Sequence, residues 1–182
     1  EEIWINLEYV NVTENYDLDF DDFEKKYNET VKVISLTHVS NVTGQIFDLE
    51  RVGNLKREDT LFVVDASQSV PHMKVDVETI ACDFLFFTGH KVFADSGIGI
   101  LWWKEKLLND MECIFSWGGA ISDVQKDSYR SCGLPDKYEP GTPNVTWAVS
   151  LLKAFDYIDS IWGYEMIEKI EHDLVEYFLE KA

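Results

Sequence analysis

The chain has 182 residues, 16 basic and 34 acidic, for a formal charge of −18. That length suits one domain with a proper core, and 46 % hydrophobic with 27 % charged residues is ordinary for a globular protein. So acidic a surface repels nucleic acid and anionic lipid, which excludes both as expected partners, and no stretch approaches the about eighteen apolar residues of a membrane span.

From the N-terminus, Glu2 to Val10 reads as a strand. Asp17 to Tyr27 is acidic and amphipathic, with Phe20, Phe23 and Tyr27 at helical spacing, and predicts a short helix. Val31 to Leu36 is a β-branched run that predicts a buried strand, ending in the polar cluster Thr37-His38-Val39-Ser40-Asn41. Leu61 to Val64 predicts a second buried strand ending at Asp65. Phe84 to Phe87 predicts a third, ending at Thr88-Gly89-His90-Lys91, and Ile98 to Trp103 a fourth. Lys104 to Met111 reads as a short helix. The segment from Ser116 to Asn144 is rich in Gly, Asp, Ser and Pro and reads as a long loop. Helical spacing returns from Trp147 to Ile161. After a break at Gly163, a last helix is expected from about Glu165 to the end. Strands alternating with helices point to an α/β layer structure.

The start, Glu1-Glu2-Ile3-Trp4, has neither a basic region nor a long apolar core, so no signal peptide is expected. It has no initiator Met, which suggests a piece of a longer protein. Cys82, Cys113 and Cys132 are an odd set without a CxxC pair, which argues against a disulfide framework and against a zinc site. A reducing cytoplasm is the expected setting, and no metal is expected.

The ends of the predicted strands carry the candidate chemistry. Asn41, Asp65, Gln68, Thr88, His90 and Lys91 gather at one edge of a parallel sheet, where open α/β folds place their ligands. Taken singly, each has an ordinary explanation: Asp65 as a turn or cap residue, His90 as a partly buried histidine, Lys91 as a solvated charge. A Lys directly after Gly-His at the end of an apolar strand, with an acid ending another, is harder to explain that way. A nucleotide site would prefer a glycine-rich loop opening a helix, and neither GxGxxG nor a Walker pattern occurs. A Schiff-base site fits better, because a Lys amine condenses with an aldehyde while an acid keeps a ring nitrogen protonated.

Several stretches closely resemble one family in ordered succession. They are Thr37-His38-Val39-Ser40-Asn41-Val42-Thr43-Gly44, Val64-Asp65-Ala66-Ser67-Gln68-Ser69-Val70-Pro71-His72, Cys82-Asp83-Phe84, Phe87-Thr88-Gly89-His90-Lys91, Gly97-Ile98-Gly99-Ile100-Leu101, Gly118-Gly119-Ala120-Ile121 and Glu139-Pro140-Gly141-Thr142-Pro143-Asn144. Together they are similar to the cysteine desulfurases of the class V aminotransferases, nearest the SufS type, which also covers selenocysteine lyases. The resemblance covers nearly the whole chain.

It implies a three-layer α/β fold, the large domain of a type I transferase dependent on pyridoxal 5'-phosphate, with a mainly parallel sheet flanked by helices. It implies that Lys91 holds the cofactor as an imine and that Asp65 pairs with the pyridine nitrogen. Asn41 and Gln68 would lie near the phenolic oxygen, and Thr88 and His90 would bind the phosphate. Thr142 would reach the phosphate of a neighbouring subunit in a homodimer. His72 receives no chemical role. The implied reaction takes sulfur from L-cysteine, leaves L-alanine and passes persulfide sulfur to an acceptor protein, as in iron–sulfur cluster assembly. Selenocysteine lyase, another class V enzyme, or a non-catalytic remnant that only dimerises are the alternatives. A generic acidic α/β binding domain is a further reading, and it requires the motif order to be coincidence. The family's upstream segment, with a His stacked on the ring, and its small C-terminal domain, with the sulfur-accepting Cys and a carboxylate-binding Arg, have no match in 1–182. The chain is therefore expected to be the central part of the large domain, incomplete at both ends and inactive alone.

Overall fold

The computed structural model describes residues 5–115, 117–161 and 163–182. Its centre is a four-stranded sheet in the order β1 (Val33–Thr37), β2 (Leu61–Asp65), β3 (Phe84–Thr88), β4 (Gly99–Trp103). The first three strands run parallel and β4 returns antiparallel to β3. Parallel neighbours need a crossover. Here α2 (Leu49–Leu55) joins β1 to β2, and the single turn α3 (Val77–Ile80) joins β2 to β3. Each crossover helix starts on an aspartate: Asp48 accepts from the Arg51 amide, and Asp76 from the amides of Glu78 and Thr79.

Side chains alternate across a strand, and the register sorts them. Phe62, Val64 and Leu85 point into a core closed by Phe23 of α1 (Phe20–Lys26), Leu49 and Val52 of α2, and Leu151 and Ile158 of α5 (Val145–Ser160). Thr37, Asp65, Phe86 and Thr88 lie on the opposite face: Thr37 pairs with Asp65, Asp65 with Phe86, and Thr88 with Gly99. The fold class is the expected one, mixed α/β with a mainly parallel sheet flanked by helices.

At the N-terminal end of the sheet, Asp83 is buried. Its carboxylate meets Lys104 at 2.7 Å and Lys56 at 3.1 Å, and accepts from the Phe62 amide at 2.9 Å. One side chain thereby ties the ends of α2, β2, β3 and β4 together. The opposite, C-terminal end is left to other chemistry.

Four expectations change. The strand expected at Glu2 to Val10 falls partly outside the described residues, and residues 5–10 belong to no strand. Ile5, at 83 % exposure, and Leu7 and Tyr9 stay exposed and pair with neither edge of the sheet. β1 and β4, both expected to be buried, are the edge strands and only half-buried, with Val33 54 % and Leu101 48 % exposed. The expected loop at Ser116 to Asn144 contains an antiparallel hairpin, β5 (Ile121–Val124) and β6 (Tyr129–Ser131). The two short helices α2 and α3 were not expected from spacing. The remaining helices are α4 (Glu105–Asp110) and α6 (Gly163–Lys181), the latter starting at the expected break. None of the described helices is long and apolar enough to cross a membrane.

Candidate active site at the C-terminal edge of the sheet

Past β1, the chain makes a narrow loop. The His38 amide donates to the Asp65 carbonyl at 2.9 Å, and the His38 carbonyl accepts from Phe47 at 2.9 Å. Val39 bridges Ile46, and Ser40 Oγ accepts from the amides of Val42 and Thr43 at 3.2 Å. These bonds hold Asn41 at the loop tip. His38 itself is 8 % exposed, and its Nδ1 is buried with no hydrogen-bond partner among the described residues. Burial holds its imidazole below the usual histidine pKa.

Past β2, Asp65 Oδ1 accepts from the Ser67 amide at 2.9 Å, and Oδ2 has no partner among the described residues. The next residues wind into successive turns through backbone bonds from Ser69 and Val70 to Ala66, and from His72 and Met73 to Ser69. Gln68 sits in this turn. Asn41, Gln68 and His72 line one cavity of about 470 Å³ with Ser40, Glu168 and Glu171. The two amides have no hydrogen-bond partner among the described residues. His72 Nδ1 lies 2.7 Å from Glu171 Oε1, which joins α6 to the turn. Sequence reasoning gave His72 no role and did not find Glu171; the two lie 99 positions apart and no local pattern links them.

Past β3, Thr88-Gly89-His90-Lys91 forms a single 3-10 turn over Gly89–Lys91. Thr88 Oγ1 and His90 Nδ1 are 2.8 Å apart. The Gly89 amide donates to the Ile98 carbonyl at 2.9 Å, and a Cβ at Gly89 would collide with the Ile98 side chain. The adjacent Val92 is fully buried. Lys91 is half-buried, and its amine makes neither a hydrogen bond nor an ion pair among the described residues.

The structure thus brings Asn41 and Gln68 into one cavity and Thr88 and His90 into one hydrogen bond. Asp65 and Lys91 end strands β2 and the β3 turn at the same sheet edge, outside the cavity lining. Thr142 lies apart, exposed, between Gly141, whose amide donates to the Gly118 carbonyl at 2.6 Å, and Asn144, the cap of α5.

The donor set suits a phosphorylated pyridine aldehyde. It offers an unpartnered amine for the aldehyde, a carboxylate oxygen for a ring N–H, two unpartnered amides for a ring hydroxyl, and a hydroxyl with an imidazole for a phosphate.

Comparison with known proteins identifies the family. The family described as aminotransferase class V matches residues 3–181. A protein of Pyrococcus abyssi named probable cysteine desulfurase is 39 % identical over 173 residues, 94 % of this chain and 43 % of its own length. A probable cysteine desulfurase of Halalkalibacterium halodurans is 36 % identical over 176 residues, 96 % of this chain and 43 % of its own. The apo structure of a cysteine desulfurase from Thermococcus onnurineus superposes with a TM-score of 0.89 at 37 % identity, covering 95 % of this chain and 43 % of that one. The chain therefore spans under half the length of the curated relatives it matches.

Proposed function

This chain belongs to the class V aminotransferase family, and from that premise we propose that it is the central part of the large domain of a cysteine desulfurase dependent on pyridoxal 5'-phosphate. The observation that carries the proposal is the Lys91 amine, without a partner among the described residues, on a single 3-10 turn at the sheet edge where Asp65, Asn41 and Gln68 also lie. The named relatives support the substrate: the parent enzyme takes sulfur from L-cysteine, releases L-alanine and passes the sulfur as a persulfide to an acceptor protein.

The cofactor, when bound, supplies an electron sink for charge developing at the substrate carbon. Lys91 Nζ would bind its aldehyde carbon. Asp65 Oδ2 would hold a proton on the ring nitrogen, because an adjacent carboxylate favours the charged pyridinium. Asn41 and Gln68 would orient the ring through its hydroxyl. Thr88 Oγ1 and His90 would bind phosphate oxygens, with the 2.8 Å bond between them fixing both side chains. Thr142 would serve the phosphate of the neighbouring subunit in a homodimer. The three free thiols support a cytoplasmic setting.

The test adds pyridoxal phosphate to the protein, reduces with borohydride and maps the modified peptide. Label at Lys91 is expected. Label at another lysine, in protein that retains the cofactor, overturns the assignment. In the full-length parent, Asp65→Asn is expected to lower turnover by at least about 100-fold while the protein still retains cofactor.

A further inference from the structure

The loop that carries Lys91 continues through Val92 to Ile98 before β4 begins, and α5 touches it repeatedly. The Asp95 amide donates to Ser150 Oγ at 3.1 Å. The Phe93 ring meets Tyr157 edge-on at 6.0 Å. At Gly97 the approach is closest: φ is +107°, and a Cβ built there would fall well inside van der Waals contact with Trp147 ring carbons Cζ3, Cη2 and Cε3. Trp147, Ser150 and Tyr157 lie at helical spacings that share one face of α5. Trp147 has a second attachment: its backbone amide donates to Asn144 Oδ1 at 3.3 Å, the cap that follows Thr142. A single residue in the first turn of α5 therefore rests its ring on the Lys91 loop and its backbone on the Thr142 loop.

We propose that Trp147 is a positioning residue: seated on Gly97, it fixes the loop that presents Lys91 and ties it to the segment that presents Thr142. The inference rests on the reading of Lys91 and Thr142 given above. It also extends that reading, because a residue serving one subunit's cofactor becomes mechanically joined to a residue serving its neighbour's. Glycine is required at position 97 on two grounds. A side chain would meet the indole, and an L residue rarely adopts that φ. The two grounds are separable, because shortening residue 147 relieves the first and leaves the second.

The decisive experiment measures amide hydrogen exchange across residues 92–98 in the protein without cofactor, alongside its melting temperature. Trp147→Ala is expected to raise exchange across 92–98 at least ten-fold while exchange in β2 and β3 stays unchanged. Trp147→Phe is expected to fall between, and Leu152→Ala, at a 58 % exposed position of the same helix, to change nothing. Gly97→Ala is expected to raise loop exchange and lower the melting temperature, and Trp147→Ala in the same chain to restore part of that loss. A Trp147→Ala protein whose 92–98 exchange is unchanged, or raised only together with β2 and β3, overturns the proposal, as does a Gly97→Ala defect that Trp147→Ala leaves untouched. A second arm adds pyridoxal phosphate and follows borohydride labelling of Lys91. Slower labelling in Trp147→Ala is expected, and labelling at the unaltered rate despite a loosened loop overturns the positioning role. Absence of label in the unaltered protein overturns the cofactor reading and leaves the exchange arm to decide on Trp147.

Discussion

At the scale of single residues, burial controls the protonation of His38. It sits between β1 and the loop that holds Asn41, with Nδ1 buried and unpaired among the described residues. Burial lowers its folded pKa below the ordinary value of 6.5, so the unfolded chain binds a proton more readily than the folded one. Stability from the neutral ring is complete above about pH 6.5 and falls as pH drops toward the folded pKa. Urea unfolding at intervals between about pH 7 and 5 should show a decline in the unaltered chain and a flatter profile in His38→Leu, since Leu removes both the proton and the unpaired Nδ1. The same slope in both proteins would assign the decline to other groups. Cys82 is shifted by the same cause in the other sense: burial pushes its thiol up to about 11, so it is a structural side chain rather than a nucleophile.

At the scale of elements, the two ends of the sheet do different work. The N-terminal end is closed by Asp83. Burial by itself would raise its pKa, but the bonds from Lys104, the Phe62 amide and Lys56 outweigh it and hold the carboxyl below 3.8. Its stabilisation is therefore present above about pH 3.8 and is lost as pH falls through the depressed value. Asp83→Ala leaves the Phe62 amide without its acceptor and the largely buried Lys56 amine with the Thr60 carbonyl but no carboxylate, and is expected to cost about 3 kcal/mol. Lys104→Ala, whose side chain is 45 % exposed, is expected to cost under about 1 kcal/mol. Denaturant midpoints at constant slope measure both, and equal costs would contradict the division.

The elements differ equally in how far they could be read from sequence. β2 and β3 are continuous Val and Phe runs bounded by polar residues, and their ends gave Asp65 and Thr88 directly. α2 could not be read, because Gly53 and Asn54 are poor helix formers. It persists through packing: a side chain at Gly53 would run into the Ile80 carbonyl, a contact no local pattern encodes. The hairpin β5–β6 is short and carries a register shift at Ile121/Asp123, which erases the alternation a strand normally shows. At the site, residues in chain-contiguous motifs were legible. Those that meet across the fold, His72 with Glu171 and Gly97 with Trp147, were not.

At the scale of the molecule, the proposed function needs more than one chain and more than these residues. Thr142 lies away from the turn that carries Lys91, in keeping with service to a neighbour. In the full-length parent, mixing Thr142→Ala with Lys91→Ala subunits should give heterodimers with one site carrying both defects and one carrying neither, and part of the activity should return. No recovery despite verified subunit exchange would dispose of the shared site. The 182-residue chain itself is expected not to turn over L-cysteine, and the reason is the position of its thiols. Desulfuration needs a thiolate within reach of the substrate sulfur. Cys82 is fully buried beyond the N-terminal end of β3, and β3 alone separates it from Lys91 by roughly 15 Å at about 3.3 Å per residue. Cys113 donates to the Lys137 carbonyl at 3.0 Å, in a second cavity with Met111 and Tyr129. Cys132 donates to the Gly119 carbonyl at 3.3 Å. None of the three lines the cavity of Asn41 and Gln68. The measurement is alanine and sulfide release by the purified chain loaded with pyridoxal phosphate, against Lys91→Ala. Background release equal in the two proteins is expected. Repeated turnovers that depend on Lys91 would mean that one of these thiols does reach the site, and loss of those turnovers in Cys132→Ser but not in Cys113→Ser would identify it as Cys132, the one whose carbonyl partner lies in the Gly118-Gly119 turn that also holds Gly141.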